Sequence, residues 1–182
     1  MKQVDEFLSS MNFDPSHCQK VEEYYAYNFY IKKKAQLVET SDLKEYLPYA
    51  LLKEVIYYNQ RDILAPMFKA FKSENLMREI ASVLTNVIYM PGDYIIYKDQ
   101  IGEEMYFIVE GQVQIIAADK QTVLKTLSKG NYFGEIAIFM HTKRISYVQA
   151  KEFCVVSVLR KSDLDQIVLN FPEVSKQFSE EA

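Results

Sequence analysis

The chain of 182 residues lacks tryptophan and holds only two cysteines and two histidines. Cys18 and Cys154 lie far apart, so we expect neither a disulfide framework nor a pair of closely spaced metal-binding thiols. His17 and His141 are also widely separated. A metal-dependent oxygenase or isomerase on a β-roll would need clustered histidine and carboxylate ligands. The sequence therefore predicts no metal site and no enzyme.

Long apolar runs are missing as well. No stretch approaches the roughly 20 apolar residues that a membrane-spanning helix needs, and no signal peptide is evident. The formal net charge of -4 argues against general binding to nucleic acid or to an anionic membrane. Hydrophobic residues make up 49% of the chain and charged residues 25%, a balance typical of a globular protein with a real core.

Glycine is absent from the first 91 residues, since all five glycines fall between Gly92 and Gly134. Glycine punctuates strands and tight turns, so its absence favours a helical first half. Asp14–Pro15 and Pro48 are start signals for two helices, and Ser73 is a candidate N-cap for a third. Thr40 or Ser41 is a candidate cap for a further short helix that would form an αα-hairpin with the helix after Pro48.

From Val87 onward the hydrophobic pattern changes to short strands separated by turn residues. Such spacing favours a sandwich or jelly roll over a parallel sheet. Ser162 and Asp165 resemble a capping box that opens one more helix. We predict an α+β protein, with a helical region over residues 1–72 and an antiparallel β-roll with flanking helices over residues 73–182. The predicted strands are Tyr94–Tyr97, Met105–Val109, Val113–Ala117, Val123–Leu127, Tyr147–Ala150 and Cys154–Leu159.

One segment interrupts the strand pattern and carries candidate binding residues. Gly134 permits close backbone approach, and free N–H groups of a short helical turn after it would attract an anion. Arg144 follows nine residues after Glu135, a spacing that lets its guanidinium bind the same anion. A carboxylate at Glu135 suits a ligand that also offers hydroxyl donors. The combination indicates a ribose phosphate.

Four segments in the same order resemble the cyclic-nucleotide-binding domain: Met90–Ile96, Met105–Gly111, Phe133–Ile138 and Lys143–Ala150. The resemblance covers residues 87–170, and the last two segments are similar to the phosphate-binding cassette of that family. It implies that Arg144 pairs with the cyclic phosphate and that Glu135 accepts from the ribose 2′-hydroxyl. The implied nucleotide-binding residues are Phe133, Gly134, Glu135, Ile136, Ala137, Arg144, Ile145, Lys125 and Leu127.

The base-facing residues decide which nucleotide is expected. Ile145 stands where a small residue or threonine is usual in the family, and it offers no hydroxyl to a guanine. The expected ligand is therefore cAMP, with cGMP as the second choice, and no other cofactor is implied. The bulk of Ile145 and the charge of Lys125 leave a second interpretation open, an intact fold that binds no nucleotide.

The first half resembles the C-linker of hyperpolarisation-activated and cyclic-nucleotide-gated channels, chiefly in Val4–Leu8, Tyr24–Tyr25, Asp42–Val55 and Arg61–Phe68. This resemblance implies a ligand-sensing region on the cytoplasmic face of a membrane, in a tetrameric cation channel whose pore lies outside this chain. The linker would pair subunits into a homotetramer, and a short helix after Asn170 would close over the ligand. Two alternatives are a nucleotide-independent assembly module and a cAMP-binding regulator that is not part of a channel.

Overall fold

The computed structural model describes residues 14–35, 46–68, 73–140 and 142–171. The chain divides into two compact units, residues 1–46 and residues 47–182. Among the described helices, none combines the length and the apolar character needed to cross a bilayer.

Helix α1 (Pro15–Ala35) is the described part of the first unit. It begins at the proline, as predicted from Asp14–Pro15. The carbonyl oxygen of Asp14 accepts from the backbone N–H groups of His17 and Cys18, at 2.9 and 3.2 Å. Proline suits this position because the first N–H groups of a helix have no partner within it. The short helix expected after Thr40 or Ser41 lies outside the described residues.

The second unit begins with helices α2 (Tyr49–Phe68) and α3 (Glu74–Val83), which pack against each other. The start of α2 directly after Pro48 and the cap of α3 are both confirmed. The Oγ of Ser73 accepts from the backbone N–H of Leu76 at 3.4 Å. Two ion pairs join the helices, Lys53 to Glu79 at 2.7 Å and Arg78 to Glu54 at 2.8 Å. The buried contact residues are Leu52, Ile56 and Leu64 of α2 and Leu76 and Ile80 of α3.

Eight strands form two antiparallel sheets of four strands each, in the orders β1-β8-β3-β6 and β2-β7-β4-β5. Side chains from both sheets meet in a core that includes Ile96, Val113, Phe133, Val148 and Val156. The expected α+β class with an antiparallel β-roll and flanking helices is confirmed. The strands are β1 (Thr85–Tyr89), β2 (Tyr94–Ile96), β3 (Glu104–Glu110), β4 (Gln112–Ile116), β5 (Val123–Ser128), β6 (Tyr132–Phe133), β7 (Tyr147–Ala150) and β8 (Cys154–Arg160).

Strand β3 departs from simple alternation, because Met105–Ile108 are all buried. One face of the strand lies on the core of the roll, and α2 contacts the strand as well. A strand covered on both faces is apolar at successive positions rather than at every second one. This covering keeps α2 in the same compact unit as the roll. The predicted domain boundary between residues 72 and 73 stays a prediction, since the compact units divide between residues 46 and 47.

Two short helices complete the second unit, α4 (Glu135–Met140) between β6 and β7, and α5 (Lys161–Val168) after β8. The predicted capping box of Ser162 and Asp165 is wrong. Strand β8 runs directly into α5, which places Ser162 inside the first turn, and Arg160 occupies the N-cap position without a side-chain cap bond. Asp165 instead accepts from Nζ of Lys161 at 2.9 Å. Helix α5 packs on α3.

Two adjacent leucines of α2 test the packing of this helix. Leu52 is 3% exposed and Leu51 is 55% exposed. We expect Leu52→Ala to lower the free energy of unfolding by about 2–5 kcal/mol, because it leaves a cavity between α2 and α3. Leu51→Ala, the matched control, is expected to cost less than about 1 kcal/mol. Urea denaturation followed by circular dichroism measures both, and equal losses would contradict this packing.

Candidate functional site

The site is built where β6 turns into α4. Gly134 links the two elements with φ of 84°, a left-handed conformation that glycine adopts without steric cost. The turn places Glu135 at the start of α4 and leaves Ala137 and Ile138 buried beneath it.

Arg144 is the central side chain of the site, and it is only 8% exposed. Its Nη1 donates to the carbonyl oxygen of Gly134 at 2.8 Å, and its Nη2 donates to the carbonyl oxygen of Glu104. The backbone is fixed as well, because the N–H of Arg144 donates to the carbonyl of Gln100 at 2.8 Å and its carbonyl accepts from Asp99 at 2.9 Å. The loop between β2 and β3 therefore holds this arginine in place.

Two glycines make room for the guanidinium. A Cβ atom added at Gly102 would lie 2.9 Å from Cζ of Arg144 and 2.2 Å from Cβ of Ala137. A Cβ added at Gly134 would lie 2.8 Å from Nη1 of the same arginine. Contacts this short do not occur in folded proteins without displacement of one partner. The guanidinium of Arg144 thus occupies a slot that is open only because residues 102 and 134 are both glycines.

Burial and neighbouring groups shift the pKa of Arg144 in opposite directions. Burial lowers the pKa of Arg144, whereas the nearby Tyr106, Glu104 and Glu135 raise it. An arginine keeps its proton under any such shift, so the group remains a cation. Burial also raises the pKa of Tyr106, whose hydroxyl donates to Oε2 of Glu104 at 2.9 Å. Tyr106 stays neutral and lies beneath the guanidinium, 5.9 Å from ring centre to Cζ.

A cavity of about 300 Å³ lies in front of Arg144, at the lower end of the range for small-molecule sites. All nine residues named from the sequence line it. The sequence missed a second group of lining residues, which come from β2, β4, β5, β6, β7 and the segment around Arg144. Alternation along the predicted strands was the signal that could have found several of them. The missed residues are Ile96, Ile115, Leu124, Tyr132, Lys143, Ser146 and Val148.

The cavity lining combines charged side chains with an apolar rim. Its lining carries three cationic side chains, Arg144, Lys143 and Lys125, against the single carboxylate of Glu135. Of the apolar residues at the mouth, Ile145 is 66% exposed and Leu124 is 61% exposed. An anionic ligand with one flat apolar part suits this distribution, since the cations attract the anion and the rim covers the apolar part.

Comparison with known families agrees with this geometry. The sequence model of the cyclic nucleotide-binding domain matches residues 86–171. The match includes all eight strands except the first residue of β1, and it includes the whole cavity lining. Residues 86–171 therefore belong to the cyclic nucleotide-binding domain family.

Longer similarities extend into the helical half. The potassium/sodium hyperpolarization-activated cyclic nucleotide-gated channel 4 of Oryctolagus cuniculus is 28% identical over 180 residues, 97% of this chain and 15% of the relative. Channel 2 of Mus musculus is 27% identical over 179 residues, again 97% of this chain and 20% of the relative. Channel 1 of Oryctolagus cuniculus is 26% identical over 179 residues, with the same two coverages.

Because 97% of the chain takes part, the similarity includes the helical residues before the roll. The resemblance to the cyclic nucleotide-binding domain and to hyperpolarisation-activated cyclic nucleotide-gated channels is thereby confirmed. The chain spans no more than a fifth of the length of these relatives.

The slot around the guanidinium generates a direct test. We expect Gly102→Ala to destabilise the protein by about 1–3 kcal/mol, because the new methyl group overlaps Ala137 and Arg144. Gly130→Asn is the control, since no atom lies within 4 Å of a Cβ at Gly130 and asparagine tolerates its φ of 83°. Urea unfolding of both variants decides the point. Wild-type stability in Gly102→Ala would show that the slot is not tightly filled.

Proposed function

We propose that the cavity binds a cyclic nucleotide, with cAMP as the favoured ligand, and that Arg144 pairs with its cyclic phosphate. The observation that carries the proposal is a buried guanidinium lining a cavity of ligand size. Two of its five N–H groups donate to protein carbonyls within the described residues. The remaining donors are available to phosphate oxygens, and the flat fork of a guanidinium suits bidentate contact with a phosphate.

The other lining residues have roles that follow from their chemistry and position. Glu135 is the acceptor for the ribose 2′-hydroxyl, and the backbone at Gly134, Ile136 and Ala137 approaches the phosphate. The base lies against the apolar side chains farther from the phosphate. Phe133, Leu127 and Ile145 contribute that surface. Ile145 offers no hydroxyl for the 2-amino group of guanine, and this supports cAMP over cGMP.

We further propose that the chain is the ligand-sensing region of a tetrameric cation channel, on the cytoplasmic face of a membrane. The support is the similarity to named channels over 97% of the chain. The pore is then a partner outside this chain, and the helices of residues 1–72 connect neighbouring subunits. The net charge of -4 supports no role for nucleic acid as a partner.

The energy available for gating follows from the difference in ligand affinity between closed and open states. A tenfold preference for the open state corresponds to about 1.4 kcal/mol per site, and to roughly 5.5 kcal/mol over four equivalent sites. A free energy of that size is enough to convert a mostly closed two-state pore into a mostly open one. The helix expected after Asn170, which would close over the ligand, lies outside the described residues.

A second candidate function is a module for assembly or regulation that needs no nucleotide, within a channel or outside one. One observation favours it. Arg144 bridges the carbonyls of Gly134 and Glu104, so the arginine also has a structural use. A binding measurement separates the two candidates, since only the first requires a nucleotide.

Removal of the guanidinium tests the phosphate contact. We expect Arg144→Ala to weaken cAMP binding by about 1.5–3 kcal/mol, or roughly 10- to 150-fold in Kd, because a charge-assisted contact is lost. Arg61→Ala, which removes an exposed arginine of α2 outside the cavity, is the matched control and should leave the Kd unchanged. Isothermal titration calorimetry measures all three proteins. Unchanged affinity in Arg144→Ala would refute the phosphate contact, and wild-type protein that binds no nucleotide would favour the second candidate.

The ribose contact has its own test. We expect Glu135→Gln to weaken cAMP binding about tenfold, because a hydrogen bond to a charged acceptor is stronger than one to an amide. The same substitution should leave the binding of 2′-deoxy-cAMP within about twofold, since that ligand lacks the hydroxyl that Glu135 contacts. Calorimetric titration of the wild-type and Glu135→Gln proteins with cAMP and with 2′-deoxy-cAMP gives the four Kd values of a complete thermodynamic cycle. Equal losses for the two ligands would show that Glu135 acts on the cavity as a whole.

A further inference from the structure

Lys125 is the third residue of β5 and lies on the inner face of the roll. In the β4–β5 ladder, Lys125 pairs with Ile115 and Leu127 pairs with Val113. Residues paired across two strands share a face, and alternate residues of one strand do as well. Val113 and Leu127 are core residues, and Ile115 lines the cavity, so this face of β5 points inward. Lys125 is therefore a lysine directed to the cavity side of the sheet, and it lines the cavity.

The ammonium group of Lys125 forms no hydrogen bond or ion pair within the part of the chain that the structure describes. Glu135, the one carboxylate among the lining residues, forms no ion pair with Lys125. The lining thus carries three positive charges and one negative charge, an excess of two. A cyclic mononucleotide brings a single negative charge, which Arg144 neutralises. The ammonium group of Lys125 remains as a hydrogen-bond donor without an assigned acceptor.

The position of Lys125 separates it from the phosphate end. Arg144 is held by the carbonyls of Gly134 and Glu104, at the ends of β6 and β3 in the first sheet. Strand β5 is the edge strand of the second sheet, and its neighbours in the lining are the apolar Leu124, Leu127 and Ile115. Lys125 thus lies among apolar side chains that would cover a flat ring. Its ammonium group would meet the edge of that ring rather than the phosphate.

We propose that Lys125 is a specificity-determining residue that donates to the acceptor edge of the purine, and this inference rests on the proposed function. A purine with an oxygen at position 6 presents two adjacent acceptors, O6 and N7, to which lysine is well matched. Adenine presents N7 beside the donor group at position 6, which repels an ammonium. Lys125 therefore favours 6-oxo purine nucleotides. It reduces the preference for cAMP over cGMP that Ile145 alone predicts.

Two cyclic nucleotides isolate this contact. Cyclic IMP and cAMP share ribose and phosphate, and their bases differ at position 6 and in the proton on N1. We expect Lys125→Met to raise the Kd for cyclic IMP about tenfold, the loss typical of a hydrogen bond from a charged donor. The Kd for cAMP should change less than threefold. Lys125→Arg, which keeps a donor for O6 and N7, should retain the wild-type ratio of the two constants.

Lys129→Met is the matched control for charge, since Lys129 is exposed nearby and does not line the cavity. We expect Lys129→Met to change the Kd values for cyclic IMP and cAMP by the same factor or not at all. Calorimetric titration measures the constants, and circular dichroism melting confirms that each variant is folded. Equal losses for the two ligands in Lys125→Met, or a greater loss for cAMP, would overturn the proposal for Lys125 and leave the proposed function standing. Wild-type protein that binds neither nucleotide would overturn both.

Discussion

The site depends on one interaction, the bridge that the guanidinium of Arg144 makes between the carbonyls of Gly134 and Glu104. A buried cation is costly unless its hydrogen bonds are satisfied, and two backbone acceptors meet part of that demand. The bridge joins the turn before α4 to the start of β3. Two segments 30 residues apart in the chain are thus fixed to each other beside the cavity.

The start of β3 also connects Arg144 to the helices of the second unit. The carbonyl of Glu103, next to the residue that holds Arg144, accepts from the backbone N–H of Lys161 at 2.7 Å. Lys161 is the first residue of α5, and α5 packs on α3, which packs on α2. A displacement of Arg144 by a ligand would therefore act on the backbone at the start of β3, which is hydrogen-bonded to the start of α5. The packed helices give such a displacement a physical route away from the cavity.

Six of the eight described strands and nine of the sixteen residues that line the cavity could be named from the sequence, because alternation, turn residues and motif order carry that information. The sequence could not reveal what holds Arg144, since its partners are backbone carbonyls that any residue provides. It also missed strands β1 and β6 and the lining residues Ile96 and Val148, whose places depend on how the strands pair and how the sheets face each other. The capping box at Ser162 failed for a related reason. The run from β8 straight into α5, rather than the local sequence, sets where that helix begins.

Strand β5 is paired on one side only, as the edge of its sheet. Most of its residues are exposed, and Leu127 is its one buried member. Substitutions along this strand disturb few neighbours, in contrast to the central strands β3 and β8. Side chains on the β5 wall of the cavity can therefore change with little effect on the fold, whereas the wall around Arg144 tolerates no added Cβ at Gly102 or Gly134. Under the proposed function, ligand preference can then diverge among related chains while Arg144 keeps its position.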